Sequence, residues 1–222
     1  TRSVTAFSRY ENAESFYEGH RVLTPLPPDE PIRTGRDAAR ALAYEPSLGD
    51  GYTAVEGLDG LALRLMEYEI EPARTTGGAM FVDGVSRAVQ GMSLDLLMVD
   101  REGVPAVCEV KTPGDMDPFF ALVQALACTA HLATTAQRSR LEQHVPSVDV
   151  SGGRFDVFVI QILAAEPRRA RYQPSLRRAA LEIIEALPRQ AELDGHIRHI
   201  ALLEATRADG RVQLRRAQLA SD

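Results

Sequence analysis

The segment from Met92 to Thr112 restricts the fold of this chain more than any other. Two apolar runs, Met92-Ser93-Leu94-Asp95-Leu96-Leu97-Met98-Val99-Asp100 and Val104-Pro105-Ala106-Val107-Cys108-Glu109-Val110-Lys111-Thr112, flank the polar turn Arg101-Glu102-Gly103. Apolar runs around a short turn containing glycine predict a β-hairpin. Side chains alternate along a strand, so Glu109 and Lys111 share one face and Val110 points the other way. Asp95 stands mid-strand in the partner run. Two carboxylates and an ammonium are therefore expected on one sheet surface, where charge is costly unless paired or bound to a metal.

Lys111 is the only lysine among 25 lysine plus arginine residues. If charge alone were needed, arginine would serve there as it does everywhere else. Lysine provides a compact, movable ammonium with a tunable pKa, which arginine does not. The competing explanation is chance survival in a structural ion pair.

At 222 residues the chain suits one domain with an appendage. The expected division is an N-terminal arm and short helix at 1–50 and a main domain at 51–222. No apolar run approaches the ~20 residues of a membrane span, and Thr1-Arg2-Ser3-Val4 lacks a signal-peptide core. Cys108 and Cys128 are too few for a disulfide framework or a zinc ribbon. They are expected to be reduced core thiols of a cytoplasmic protein. The net charge of −6 is not that of a general nucleic-acid clamp. Arginines nevertheless bunch at Arg168, Arg169, Arg171, Arg177 and Arg178, and again at Arg207, Arg211, Arg215 and Arg216. Such bunches either contact phosphates or form solvated faces.

Along the chain, Tyr10, Phe16, Tyr17 and Val22 supply an apolar arm for a partner or a second copy, and Pro25 to Pro31 form an extended stretch. Thr34 and Asp37 predict a capping box for a helix over 36–44. Leu58, Leu61, Ala62, Leu65 and Tyr68 fit one helical face, although 61–70 also alternates tolerably. A helix is expected, with Glu69 on its apolar face as a candidate further carboxylate. Short strands are expected at 79–82 and 85–90. After the hairpin, Asp117-Pro118 predicts a helix start, with an apolar helix or helix pair reaching about 143. Asp115 and Asp117 are candidate caps, with a second-metal role as the alternative. Residues 155–163 form a β-branched run expected to be a strand buried on both faces. A helix over 175–187 and a hairpin at 197–205 and 212–219 complete the order. His196 and His199 lack metal-binding spacing, and His131 and His144 are lone histidines.

Asp95, thirteen intervening residues, the strand-closing Glu109-Val110-Lys111, and a following helix bearing Gln124 together resemble the PD-(D/E)XK nuclease superfamily. The resemblance covers about residues 55–165. It implies an α/β, restriction-endonuclease-like sandwich, with a mixed central sheet containing an antiparallel meander flanked by helices. Leu94 stands where the named motif has proline. Cys128 stands where the RecB-like branch has tyrosine, four residues beyond the glutamine. The implied activity is Mg²⁺- or Mn²⁺-dependent phosphodiester hydrolysis, with DNA the expected substrate. Hydrolysis of this kind needs neutralised phosphate oxygens and an activated water, which carboxylate-bound Mg²⁺ provides. Asp95, Glu109 and the Val110 carbonyl are the expected ligands. Lys111 would stabilise transition-state charge, and Gln124 would act from behind it. The alternative is a non-catalytic nucleic-acid-binding or protein-assembly module on the same scaffold.

Overall fold

The computed structural model describes residues 23–27, 29–73, 80–82, 85–87, 92–113, 117–145, 147–163, 174–189 and 195–219. The expected aromatic arm at Tyr10–Tyr17, the first arginine bunch at 168–171 and Asp115 lie outside the described residues. In chain order the elements are α1 (Gly35–Tyr44), β1 (Thr53–Glu56), β2 (Ala62–Ala73), β3 (Met80–Val82), β4 (Val85–Arg87), β5 (Met92–Val99) and β6 (Pro105–Lys111). Then come α2 (Pro118–Leu132), α3 (Thr135–His144), β7 (Phe155–Ile162), α4 (Pro174–Ala186), a 3-10 turn at Leu187–Arg189, β8 (Ile197–Ala208) and β9 (Arg211–Arg216).

The sheet corrects the expected fold class. Seven of the described strands close into a barrel in the order β1-β2-β5-β6-β7-β8-β9, whereas the expectation is a restriction-endonuclease-like sandwich with a mixed central sheet flanked by helices. β2, β5 and β6 form an antiparallel meander, β7 lies parallel to both β6 and β8, and β9 returns antiparallel to β8. Closure depends on the four residues of β1. Thr53 and Ala54 pair with Leu63 and Ala62 of β2, while Val55 and Glu56 pair in parallel with Leu214 and Arg215 of β9. A strand this short, joined to a partner some 160 residues away, leaves almost no local periodic signal. The hairpin β3–β4 forms a separate two-stranded sheet.

A second correction concerns β2, where a helix was expected. Leu58, Leu61, Ala62, Leu65 and Tyr68 satisfy a helical period, but pairing with β5 from Arg64↔Val99 to Ala73↔Met92 decides the conformation. This is the tertiary override to which short amphipathic segments are open.

Two apolar layers share the strands. The inner one draws on all seven barrel strands, with Val55, Leu63, Leu96, Met98, Cys108, Phe158, Ile160, Leu203 and Leu214 among its members. Ala38, Ala39, Ala41 and Leu42 of α1 pack into the same cluster, against β2, β5, β6 and β9. Its start is the capping box expected from sequence: Thr34 Oγ1 accepts from the Asp37 N–H, and Asp37 accepts from the Thr34 N–H. The outer layer is made by α2 and α4 against Leu97, Val107, Val157, Val159 and Leu202. β6 and β7 are consequently buried on both faces, as the β-branched, largely apolar run at 155–162 predicts for β7.

Buried charge locks the end of the barrel where β6, β7 and β8 begin. Arg198 Nη2 bonds Asp156 at 2.6 Å and Asp100 at 2.5 Å, and its Nη1 reaches Glu102 at 3.0 Å. Asp100 Oδ1 also accepts the N–H groups of Glu102 and Val104, fixing the β5–β6 turn. At the N-terminal side, Arg207 on β8 pairs with Glu45 and donates to the carbonyls of Leu26, Pro27 and Glu30, which straps that segment to the barrel. Among the described residues, no single helix is long and apolar enough to cross a membrane.

Candidate active site

Asp95 and Glu109 meet where the β5–β6 ladder comes apart. Antiparallel pairing runs from Val99↔Pro105 to Leu96↔Cys108 and stops. The next step would set Asp95 opposite Glu109, and that pair does not form. Beyond the split the Val110 N–H has lost its ladder acceptor, and it donates instead to Asp95 Oδ2 at 2.8 Å. A buried backbone donor must find some acceptor. Here the strand's own aspartate provides it, and the carboxylate is wedged between the two strands.

The other side of Asp95 faces α1. A β-carbon on Gly35, the first residue of that helix, would stand 3.5 Å from Asp95 Oδ1, an ordinary contact. Asp95 therefore lies against the amino end of α1, where helix N–H groups favour negative charge.

Along β6, Ala106, Cys108 and Val110 point into the barrel, while Val107, Glu109 and Lys111 face outward beneath α2. Glu109 is 1% exposed and Lys111 8%. Glu109 Oε1 has no hydrogen-bond partner among the described residues. Burial pushes the Glu109 pKa up from its ordinary 4.5 to about 9. The adjacent Asp95 charge and a hydrogen bond with the Asp95 carboxyl add to the rise, while the Asp95 backbone N–H and the Lys111 ammonium oppose it. Two carboxyls this close share a proton unless a cation separates them.

Helix α2 roofs this outer face. Asp117 caps it by accepting the Phe120 N–H at 2.9 Å, and Pro118 occupies its first turn. Phe120, Gln124 and Cys128 recur every four residues along one stripe. The Phe120 ring centroid stands 6.0 Å from Lys111 Nζ. Gln124 is half-buried. The buried Cys128 thiol is pushed up to about 12 by burial and by the Glu109 and Asp95 charges, so it stays protonated and is no nucleophile at neutral pH.

Of the residues singled out from sequence, Asp95, Glu109 and Lys111 come together, and Gln124 lies on the helix above them. Val110 contributes the N–H that holds Asp95. Glu69 is corrected: it lies on strand β2, not a buried helical face, and its side chain is exposed. It stands level with Asp95, between the pairs Tyr68↔Leu96 and Ile70↔Leu94, with φ at 52°. Tyr68 and Leu96 belong to the inner cluster and Ile70 and Leu94 to the outer one, so the inward–outward alternation reverses at this level. His199 uses its backbone N–H to bond Asp156, at the far end of the strands from Glu109. Sequence reasoning missed Gln161, which is 1% exposed and in register with Lys111 on β7, and also Gly35 and Phe120. The available signal for Gln161 was a polar residue that, with Asp156, interrupts an apolar strand. Gly35 and Phe120 join the site only through long-range packing.

The donor set fits a hard divalent cation of the Mg²⁺ kind. Mg²⁺ commonly takes one or two carboxylates and fills its remaining positions with water and substrate oxygens. Among the described residues no group of three or more His, Cys, Asp or Glu side chains is placed to hold a metal, so a closed, all-protein zinc site is not what this cluster resembles. Comparison with known proteins finds no match: no family model fits the chain, and no curated protein or solved structure matches it.

Proposed function

We propose that this chain is a metal-dependent phosphodiester hydrolase acting on nucleic acid, with DNA the expected substrate. The observation that carries the reading is Glu109 Oε1, a buried oxygen without a hydrogen-bond partner among the described residues, set beside a second carboxylate and the chain's only lysine. Leaving a buried carboxyl oxygen unsatisfied costs stability, and ligating a cation removes that cost. Bound Mg²⁺ or Mn²⁺ would polarise a phosphate oxygen and acidify a coordinated water. The protein side of the reaction then divides as follows. Asp95 and Glu109 hold the cation. The Val110 N–H and the start of α1 keep Asp95 oriented. Lys111 offers its ammonium to the non-bridging oxygens as charge builds on the phosphate. Gln124 sits on α2, placed to orient the groups below it. The outer apolar layer keeps bulk water from the base of the site, which strengthens each of these interactions.

The proton-sharing contact between Glu109 and Asp95 favours a second reading, a non-catalytic nucleic-acid-binding or assembly module in which the carboxyl pair is structural. Calorimetry with Mg²⁺ and Mn²⁺, alongside cleavage assays on single- and double-stranded DNA, separates the two. Wild type is expected to bind metal and cleave, and Asp95→Ala, Glu109→Ala and Lys111→Ala are each expected to lose at least about 100-fold in rate. Cleavage unchanged in all three variants would sink the hydrolase reading. An absence of metal binding by wild type would leave the module.

A further inference from the structure

We propose that the exposed ring of Phe120 is a stacking platform for an unpaired nucleobase, which makes single-stranded nucleic acid the substrate class of this site. The inference deepens the hydrolase reading above and rests on it. Phe120 is 58% exposed and stands directly beside the buried Lys111. Its backbone is fixed, because its N–H is the one that Asp117 caps. Lys111 Nζ stands 6.0 Å from the ring centroid, a separation comparable to that between a phosphate and its own base. A nucleotide whose phosphate is drawn to Lys111 thus carries its base to the ring. Val123, one turn along α2 and 48% exposed, extends the apolar strip in the direction a neighbouring base would take.

Two considerations favour an unpaired base over a duplex. Inside a duplex each base face is covered by its neighbour, so a lone ring has nothing to stack on. Duplex binding also draws on many phosphate contacts, to which a chain of net charge −6 is poorly suited. Stacking on an aromatic side chain adds affinity that does not come from phosphate contacts, and it tolerates any base.

The chain has no tryptophan, so F120W introduces a single indole at the proposed platform. With Ca²⁺ in place of Mg²⁺ to suppress cleavage, a short single-stranded oligodeoxynucleotide is expected to quench that indole. An abasic strand with the same phosphates, or a blunt duplex, is expected to quench it little. F120A should bind the single strand about 10-fold or more weakly, by fluorescence anisotropy of a labelled strand, while F120W keeps wild-type affinity. Equal quenching by the abasic strand, or unchanged affinity in F120A, overturns the proposal. Emission that shifts with protein concentration and not with oligonucleotide also overturns it, by assigning the strip to a second copy of the chain. If cleavage requires Glu109 and Lys111 but the indole does not respond, stacking falls and the hydrolase stands. If the indole responds but wild type never cleaves, the hydrolase reading falls and the base platform stands.

Discussion

Glu109 occupies a strand position where burial alone would select valine. Its folded-state pKa of about 9 lies above its ordinary 4.5, so between those values the native state holds a proton that the unfolded chain releases. The stability linked to that proton is complete below about pH 4.5 and is lost as pH rises toward 9. The loss is on the order of a few kcal/mol. Glu109→Gln puts a neutral amide where the protonated acid stood, and so should flatten this slope. Urea-unfolding midpoints of wild type are expected to fall from pH 5 to pH 9 relative to those of the variant, with Glu109→Gln the more stable protein at pH 9. Parallel pH profiles for the two would contradict the burial argument. At this scale the sequence was legible: Asp95, Glu109 and Lys111 each interrupt an apolar alternation, and an interruption can be read without knowing the fold. The split ladder that lets the Asp95 carboxylate take the Val110 N–H has no signature of its own, because both strands continue in sequence past the point where they separate.

Strand β2 shows what happens when local pattern and pairing compete. Its leucines and tyrosine satisfy two periods, and the choice falls to β5, which already needs a partner. Glu69 carries the geometric cost. A left-handed backbone is unfavourable for any residue with a β-carbon and most unfavourable for a branched one. Glu69→Gly is therefore expected to exceed Glu69→Val in stability by about 1–2 kcal/mol, read from denaturant midpoints at a common m-value. If Glu69→Val were equally stable, β2 could adopt a regular ladder at no cost. By contrast, α1, β7 and α4 were readable because each carries its own signal: a capping box at Thr34, a β-branched run at 155–162, and a proline at the first position of α4.

For the whole molecule, the decisive contact is the one the sequence hid most completely. β1 presents four residues, Thr-Ala-Val-Glu, that alternate buried and exposed like countless surface strands. Their effect is to join the two margins of the sheet. Val55 donates its N–H to Leu61 O at 3.0 Å and packs in the inner core beside Leu214. Val55→Pro removes that donor and replaces the buried isopropyl group with a ring tied back to the backbone, at a cost of roughly 2–4 kcal/mol. Hydrogen exchange is expected to accelerate in β1 and β9 while β6 and β7 keep their protection. Uniform loss of protection across all the strands would instead mean that the barrel opens as a single unit.

Closure through β1 has a consequence for how the protein is made. Residues 53–56 leave the ribosome well before residues 211–216, the strand that completes their pairing. Through that interval a nascent chain exposes unpaired backbone along the margins of its sheet, where neighbouring chains can dock. Synthesis of β9 ends this exposure. Slow translation between β8 and β9, or loss of β9 by truncation, therefore prolongs the period in which a newly made chain can be captured by another copy of itself.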